Sequence, residues 1–171
     1  QEDCLRNANY IAELSDIDAP IYRGLEKPLD RKLETAESHG ENGLGYLEVP
    51  EVYNRSEGEA VKALIEKADP DTKLLTLGPL TNIAKALKKE LDLLQKYKSV
   101  TIMGGAVETF GNVNRVSEFN FWVDPEAAST VIQNSPKNIN LVPVNACREV
   151  LKKKKKIERL FDRSEYQDIF R

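Results

Sequence analysis

The chain holds little that would staple, anchor or metallate it. It has two cysteines, Cys4 and Cys147, and a single histidine, His39, in 171 residues. Their separation and the lack of a histidine cluster exclude a zinc knuckle and a disulfide framework. The cysteines are expected as buried thiols, with one disulfide left open for an oxidising compartment. No stretch approaches the ~18 to 20 apolar residues of a membrane span, and Gln1-Glu-Asp-Cys4 is not a signal peptide. No membrane partner is therefore expected, and the expected compartment is the cytoplasm, with secretion left open; Asn54-Arg-Ser56 is a formal glycosylation sequon, a pattern common by chance and informative only in a secreted protein. Neither sign of charge dominates: 25 basic against 28 acidic residues leave a net charge of -3, which gives no general attraction to nucleic acid. The one basic run, Lys152 to Lys156, lacks interleaved aromatics and reads as a solvated helix face continuing to about Phe161. No Gly-x-Gly-x-x-Gly spacing is present, which argues against dinucleotide binding at Gly104-Gly105.

With 40% hydrophobic and 31% charged residues, the chain has the composition of a globular protein. Its length fits one domain that buries roughly two thirds of its unfolded surface. Residues 2 to 15 carry Cys4, Ala8, Ile11 and Ala12 at helical spacing, so a first helix is expected with that face inward. Pro20 to Gly24 reads as a short extended piece, and a long polar connection follows to about Val49. A helix is expected from Ser56 to Asp69, a buried strand from Lys73 to Gly78, and one helix from Leu80 to about Tyr97 with Leu91 and Leu94 inward. A strand at 99 to 103, a helix with Ala127, Ala128, Val131 and Ile132 inward, and a strand at 139 to 144 complete the alternation. Such alternation predicts an α/β fold with a mostly parallel sheet and helices on both faces.

The most informative stretch is Thr101 to Ala128, which reads as strand, polar loop and helix. The apolar run Val100, Ile102, Met103 stops at Gly104-Gly105, and Asp124-Pro125-Glu126 has the N-cap, first-position proline and first-turn acid of a helix start. Ligands of open α/β sheets bind outside the carboxyl ends of strands, where this loop lies. If Glu118-Phe119-Asn120 is extended, Glu118 and Asn120 point one way and Phe119 the other. A carboxylate beside a carboxamide suits a vicinal diol, and Asn112 after Gly111 would add a third polar arm. Read without function, Glu118 is a loop charge, Asn120 a turn residue, and Phe119 and Met103 ordinary core.

The order Met103-Gly-Gly105, Gly111-Asn112, Glu118-Phe-Asn120, Asp124-Pro-Glu-Ala-Ala128 resembles the nucleoside hydrolase family. Leu77-Gly-Pro-Leu-Thr-Asn-Ile-Ala84 and His39-Gly-Glu-Asn-Gly-Leu-Gly45 resemble two further family segments, as does Asp18 to Gly24 followed by Lys27-Pro28. The resemblance implies an open, Rossmann-like sheet and calcium-assisted hydrolysis of the N-glycosidic bond of ribonucleosides. It implies that the Leu77 main-chain carbonyl is a calcium ligand and that Asn112, Glu118 and Asn120 bind ribose hydroxyls. Met103 and Phe119 would line the wall around the substrate, and His39 would border the cleft. The family's amino-terminal aspartate cluster and its later His-Asp pair are not matched here, so no general acid or base is assigned in this chain. Residues 1–171 are thus expected as a single α/β domain that is a fragment of a larger single-domain enzyme, a homo-oligomer when complete. The alternative is a non-catalytic α/β ligand-binding or interaction module that lost its metal site.

Overall fold

The computed structural model describes residues 2–36, 40, 42–45, 49–50, 53, 55–136 and 139–151. The first element is helix α1 (Glu2–Leu14), and α2 (Ala60–Glu66) follows the long connection. Next come β1 (Lys73–Thr76), α3 (Thr81–Leu87), α4 (Leu93–Lys96), β2 (Ser99–Met103), α5 (Phe119–Val123), α6 (Pro125–Gln133), β3 (Asn140–Val142) and α7 (Val144–Leu151). The strands form a parallel sheet in the order β1-β2-β3, with Thr76 beside Ile102 and Ile102 beside Leu141. Parallel pairing of consecutive strands requires a crossover between each pair, supplied here by α3 and α4 and then by α5 and α6. The α/β architecture read from the alternation is therefore present.

One side of β2 enters the core. Val100 and Ile102 are buried with Ile83, Ala84 and Leu87 of α3, Leu94 of α4, and Ala127 and Val131 of α6. Apolar positions every second residue in the strand meet apolar positions at helical spacing, which is how a sheet face and helix stripes share one core.

Five expectations need correction. The strand at 73–76 is buried on one face only: Thr76 is buried, whereas Leu75 at 60% and, just beyond the strand, Leu77 at 70% exposure alternate with it and point to the other side of the sheet, where they line an open cleft. The helix from 80 to 97 is two helices, and Leu91 in the gap is 72% exposed. The amide groups of Lys89 and Glu90 both donate to the Ala86 carbonyl, which tightens the end of α3, while Lys96 pairs with Glu90 and Asp92 across the break. Leu93 and Leu94 still return to the core. On α1 the buried residue is Leu5, with Cys4 and Ala8 exposed; Asn9, one turn beyond Leu5, donates to the Arg55 carbonyl from the same side. Both cysteines are free thiols, Cys4 exposed and Cys147 half-buried, so neither is the buried thiol expected. Ile132 likewise faces outward at 40% exposure. The residues from Lys152 onward lie outside the described ones.

Candidate active site

The loop that leaves β2 is held by main-chain donors converging on side-chain acceptors. Gly105 adopts a positive φ of 77° and its amide donates to Glu118 Oε2 at 2.9 Å. Glu118 is the N-cap of α5, accepting from Asn120 N at 3.0 Å and Phe121 N at 3.2 Å. Glu118-Phe119-Asn120 is therefore not an extended piece; the carboxylate has drawn the chain into a helix start, which satisfies amides that would otherwise lack partners. Glu118 is only 2% exposed. A carboxylate offers about four acceptor positions, so three donors leave one.

Asn120 sits at the carboxyl ends of two strands. Its Nδ2 donates to the carbonyls of Leu77 and Met103, both at 3.2 Å, and lies 3.1 Å from Met103 Sδ. Asn120 Oδ1 accepts nothing from the described residues. Asn112, exposed, accepts from Phe119 N at 2.9 Å through Oδ1, which points its Nδ2 elsewhere. Thus Asn120 binds Met103 and the Leu77 carbonyl directly, Glu118 holds the Asn120 main chain, and Asn112 joins them only through the amide of the intervening Phe119. Phe119 is half-buried with its ring centroid 6.3 Å from that of Trp122. His39 lies outside the described residues.

Two clefts flank the group. One of about 480 Å³ is lined by Gly105, Val107, Ser117, Glu118 and Trp122. The other, about 550 Å³, is lined by Leu25, Pro28, Leu75, Thr76, Leu77 and Asn82. Both volumes are of small-ligand size. A third, polar cleft of about 570 Å³ between α1 and residues 53–57 contains none of the expected site residues. The Thr76 hydroxyl, beside Leu77, is buried without a partner among the described residues.

Several contributors were not foreseen. Phe121, rather than Phe119, packs under the glycine pair: a Cβ on Gly104 would lie 2.4 Å from its ring. Asp124 caps α6 as expected, accepting from Ala127 N at 3.0 Å, and it also accepts from Leu29 N at 2.9 Å and Thr81 Oγ1 at 2.7 Å. It is fully buried, so one carboxylate ties the long connection and the start of α3 to α6. Nearby, Arg31 forms a forked pair with Glu126, which holds the Glu126 carboxyl below its ordinary range through that hydrogen bond. The signal for Phe121 was available in the adjacent Gly104-Gly105, which leaves room for a ring.

The model of the inosine-uridine preferring nucleoside hydrolase family matches residues 1–170. The chain belongs to that family. It is 36% identical over 151 residues to uridine nucleosidase 1 of Arabidopsis thaliana, which covers 84% of this chain and 45% of the relative. With the inosine-uridine preferring nucleoside hydrolase of Crithidia fasciculata it shares 39% identity over 138 residues, 76% of this chain and 44% of that protein. Among solved structures, the purine-preferring ribonucleoside hydrolase from Gardnerella vaginalis superposes with a TM-score of 0.76 at 30% identity, over 84% of this chain and 48% of the other. The chain spans about half the length of the nucleoside hydrolases it matches. Among the described residues no group of three or more His, Cys, Asp or Glu could hold a metal. The Leu77 carbonyl already accepts one hydrogen bond, and a calcium site takes about six to eight oxygens, so the described residues do not by themselves fit that ion.

Proposed function

We propose that the whole protein hydrolyses the N-glycosidic bond of ribonucleosides to ribose and free base, and that this chain supplies its sugar-binding part. The observation that carries the reading is the joining of Asn112, Glu118 and Asn120 at the carboxyl ends of β1 and β2. In this reading Asn112 Nδ2 donates to one ribose hydroxyl, while Asn120 Oδ1 and the remaining acceptor position of Glu118 receive hydroxyl protons. Glycosidic cleavage builds positive charge on the sugar ring, and a buried carboxylate beside it stabilises that charge. Met103 and Phe119 form the apolar wall. His39 remains a proposed neighbour of the cleft.

Calcium belongs to the proposal for the whole protein, with Leu77 as one carbonyl ligand and the other oxygens supplied from beyond the described residues. A cytoplasmic compartment and a homo-oligomeric state are also proposed; the free thiols Cys4 and Cys147 fit a reducing environment. Among the described residues no helix is long and apolar enough to cross a membrane. A second reading, a non-catalytic ligand-binding module, is favoured by the lack of a metal-ligand cluster among the described residues. Full-length protein incubated with inosine and with uridine, with calcium or with a chelator, separates the two. Ribose release that the chelator abolishes supports the enzyme; no ribose from any common ribonucleoside overturns it.

A further inference from the structure

We propose that Arg148 of α7 is a positioning residue for the sugar-binding loop, fixing the main chain just before Asn112 so that this side chain meets the substrate. The loop after β2 runs along α7. The Val144 amide donates to the Gly105 carbonyl at 3.0 Å, and Asn145 Nδ2 donates to the Val107 carbonyl at 2.6 Å. One turn further along the helix, Arg148 donates through Nη1 to the Phe110 carbonyl at 2.6 Å and to Thr109 Oγ1 at 3.2 Å. Its Nη2 donates to the Gly111 carbonyl at 2.7 Å. Asn145 and Arg148 are three residues apart and therefore share a helix face.

Within the loop, Gly111 N donates to the Arg115 carbonyl at 3.3 Å and Val113 N to the Ser117 carbonyl at 3.1 Å; these bonds close the loop on itself, whereas Arg148 ties it to a helix. Val107, Phe110, Val113 and Val116 are 47%, 62%, 39% and 78% exposed, so apolar burial contributes little to its position. A guanidinium can span successive carbonyls because its donors sit in a rigid fork, and it stays charged at any pH the protein experiences. Lysine offers a single point charge and cannot reproduce that geometry. Gly111 carries the restraint straight into Asn112, whose amide donates to the Ser117 carbonyl at 3.1 Å and whose Oδ1 accepts from Phe119 N. Arg148 is thus connected to the sugar-facing group through two consecutive residues, without itself lining either cleft beside Glu118.

The inference rests on Asn112 being a sugar contact, and the test separates the two claims. In the full-length protein, Arg148→Met keeps most of the apolar stem and removes every donor. It should raise KM for a ribonucleoside roughly tenfold while kcat changes much less. In an Asn112→Ala background the same change should add less than about twofold, because the side chain being positioned is gone. Guanidinium ion added to Arg148→Ala should recover part of the lost affinity, which a general loss of stability would not allow. Should Arg148→Met fail to accumulate as folded protein, Arg148→Lys completes the same cycle. If Asn112→Ala raises KM and neither Arg148 variant does, or if the two effects simply add, the positioning role is wrong. If Asn112→Ala itself leaves KM unchanged, the sugar-contact reading fails and takes this inference with it.

Discussion

Glu118→Gln is the substitution that most directly probes how the loop is built. Three main-chain amides, those of Gly105, Asn120 and Phe121, aim at the two carboxylate oxygens from 2.9 to 3.2 Å. Glutamine has one carbonyl oxygen and one NH2, so whichever way the amide is turned a donor must face a donor. The less costly orientation puts the NH2 against Asn120 N, losing one bond, and leaves the oxygen with Gly105 N and Phe121 N. Bonds to a charged group are worth about 1.5 to 3 kcal/mol and neutral ones about 0.5 to 1.5, so one loss and two weakened bonds come to about 3 kcal/mol. For a full-length protein about twice the length of this chain, at about 2.1 cal/mol/K of unfolding entropy per residue, that is a fall in thermal midpoint of about 4 °C. The assay is thermal unfolding of full-length wild type and Glu118→Gln at neutral pH, paired with KM for a ribonucleoside. A midpoint within about 1 °C of wild type would refute the convergence of three amides on this carboxylate, since an uncompensated buried donor has a cost on the order of 1 kcal/mol or more. A lowered midpoint with unchanged KM would leave Glu118 as a helix cap alone and refute its contact with the sugar.

Asp124→Ala should destabilise the full-length protein by about 3 to 5 kcal/mol in urea unfolding, because Leu29 N, Ala127 N and the Thr81 hydroxyl all lose a buried anionic acceptor. Gly111→Ala would place a Cβ about 2.0 Å from the Ser117 carbonyl oxygen; the loop must shift, and kcat/KM should fall on the order of 100-fold with the midpoint changed much less. The Arg31 hydrogen bond lowers the folded-state pKa of Glu126, so its stabilisation is present above the ordinary glutamate pKa and lost as pH falls through the lowered one. Urea midpoints of wild type and Arg31→Ala should therefore differ at neutral pH and converge in acid, and a difference that persisted once the carboxyl is protonated would contradict this. Residues 1–171 produced alone should self-associate through the β1 edge, where Leu75 and Leu77 are 60% and 70% exposed; Leu75→Lys should reduce association in sedimentation, and an unaltered oligomer distribution would exclude that edge.

What could be read in the sequence was what neighbours in the chain decide. Asp124-Pro125 starts α6 because a carboxylate and a proline satisfy helix-start chemistry within four residues, and the cap bond to Ala127 N is there. The strand at 99–103 follows from alternating burial along β2. The resemblance pointed to Asn112, Glu118 and Asn120 as a group, and the structure brings them together. How they meet was not legible, since the decisive partners are distant. Glu118 looked like part of an extended piece because nothing local reveals that Gly105, thirteen residues earlier, turns its amide back toward the carboxylate. Leu75 and Leu91 have apolar side chains that suit a core; their exposure depends on which face of β1 meets the core and on where α3 ends.

The two readings of Glu118, as a loop-holding cap and as a sugar ligand, do not compete in the way the sequence alone suggests. Holding the carboxylate by three amides fixes its position, and a fixed acceptor binds a hydroxyl without first losing rotamer freedom. The same logic applies to Asn120, whose Nδ2 spans the Leu77 and Met103 carbonyls and so leaves its oxygen directed by two strand ends. Asn112 differs, being exposed on a loop with little buried apolar surface. Its precision has to come from polar ties: its own amide on the Ser117 carbonyl, the Phe119 amide on its side chain, and the Arg148 guanidinium on the residue before it. Weakening the Arg148 tie should therefore be felt at Asn112 far more than at Glu118 or Asn120.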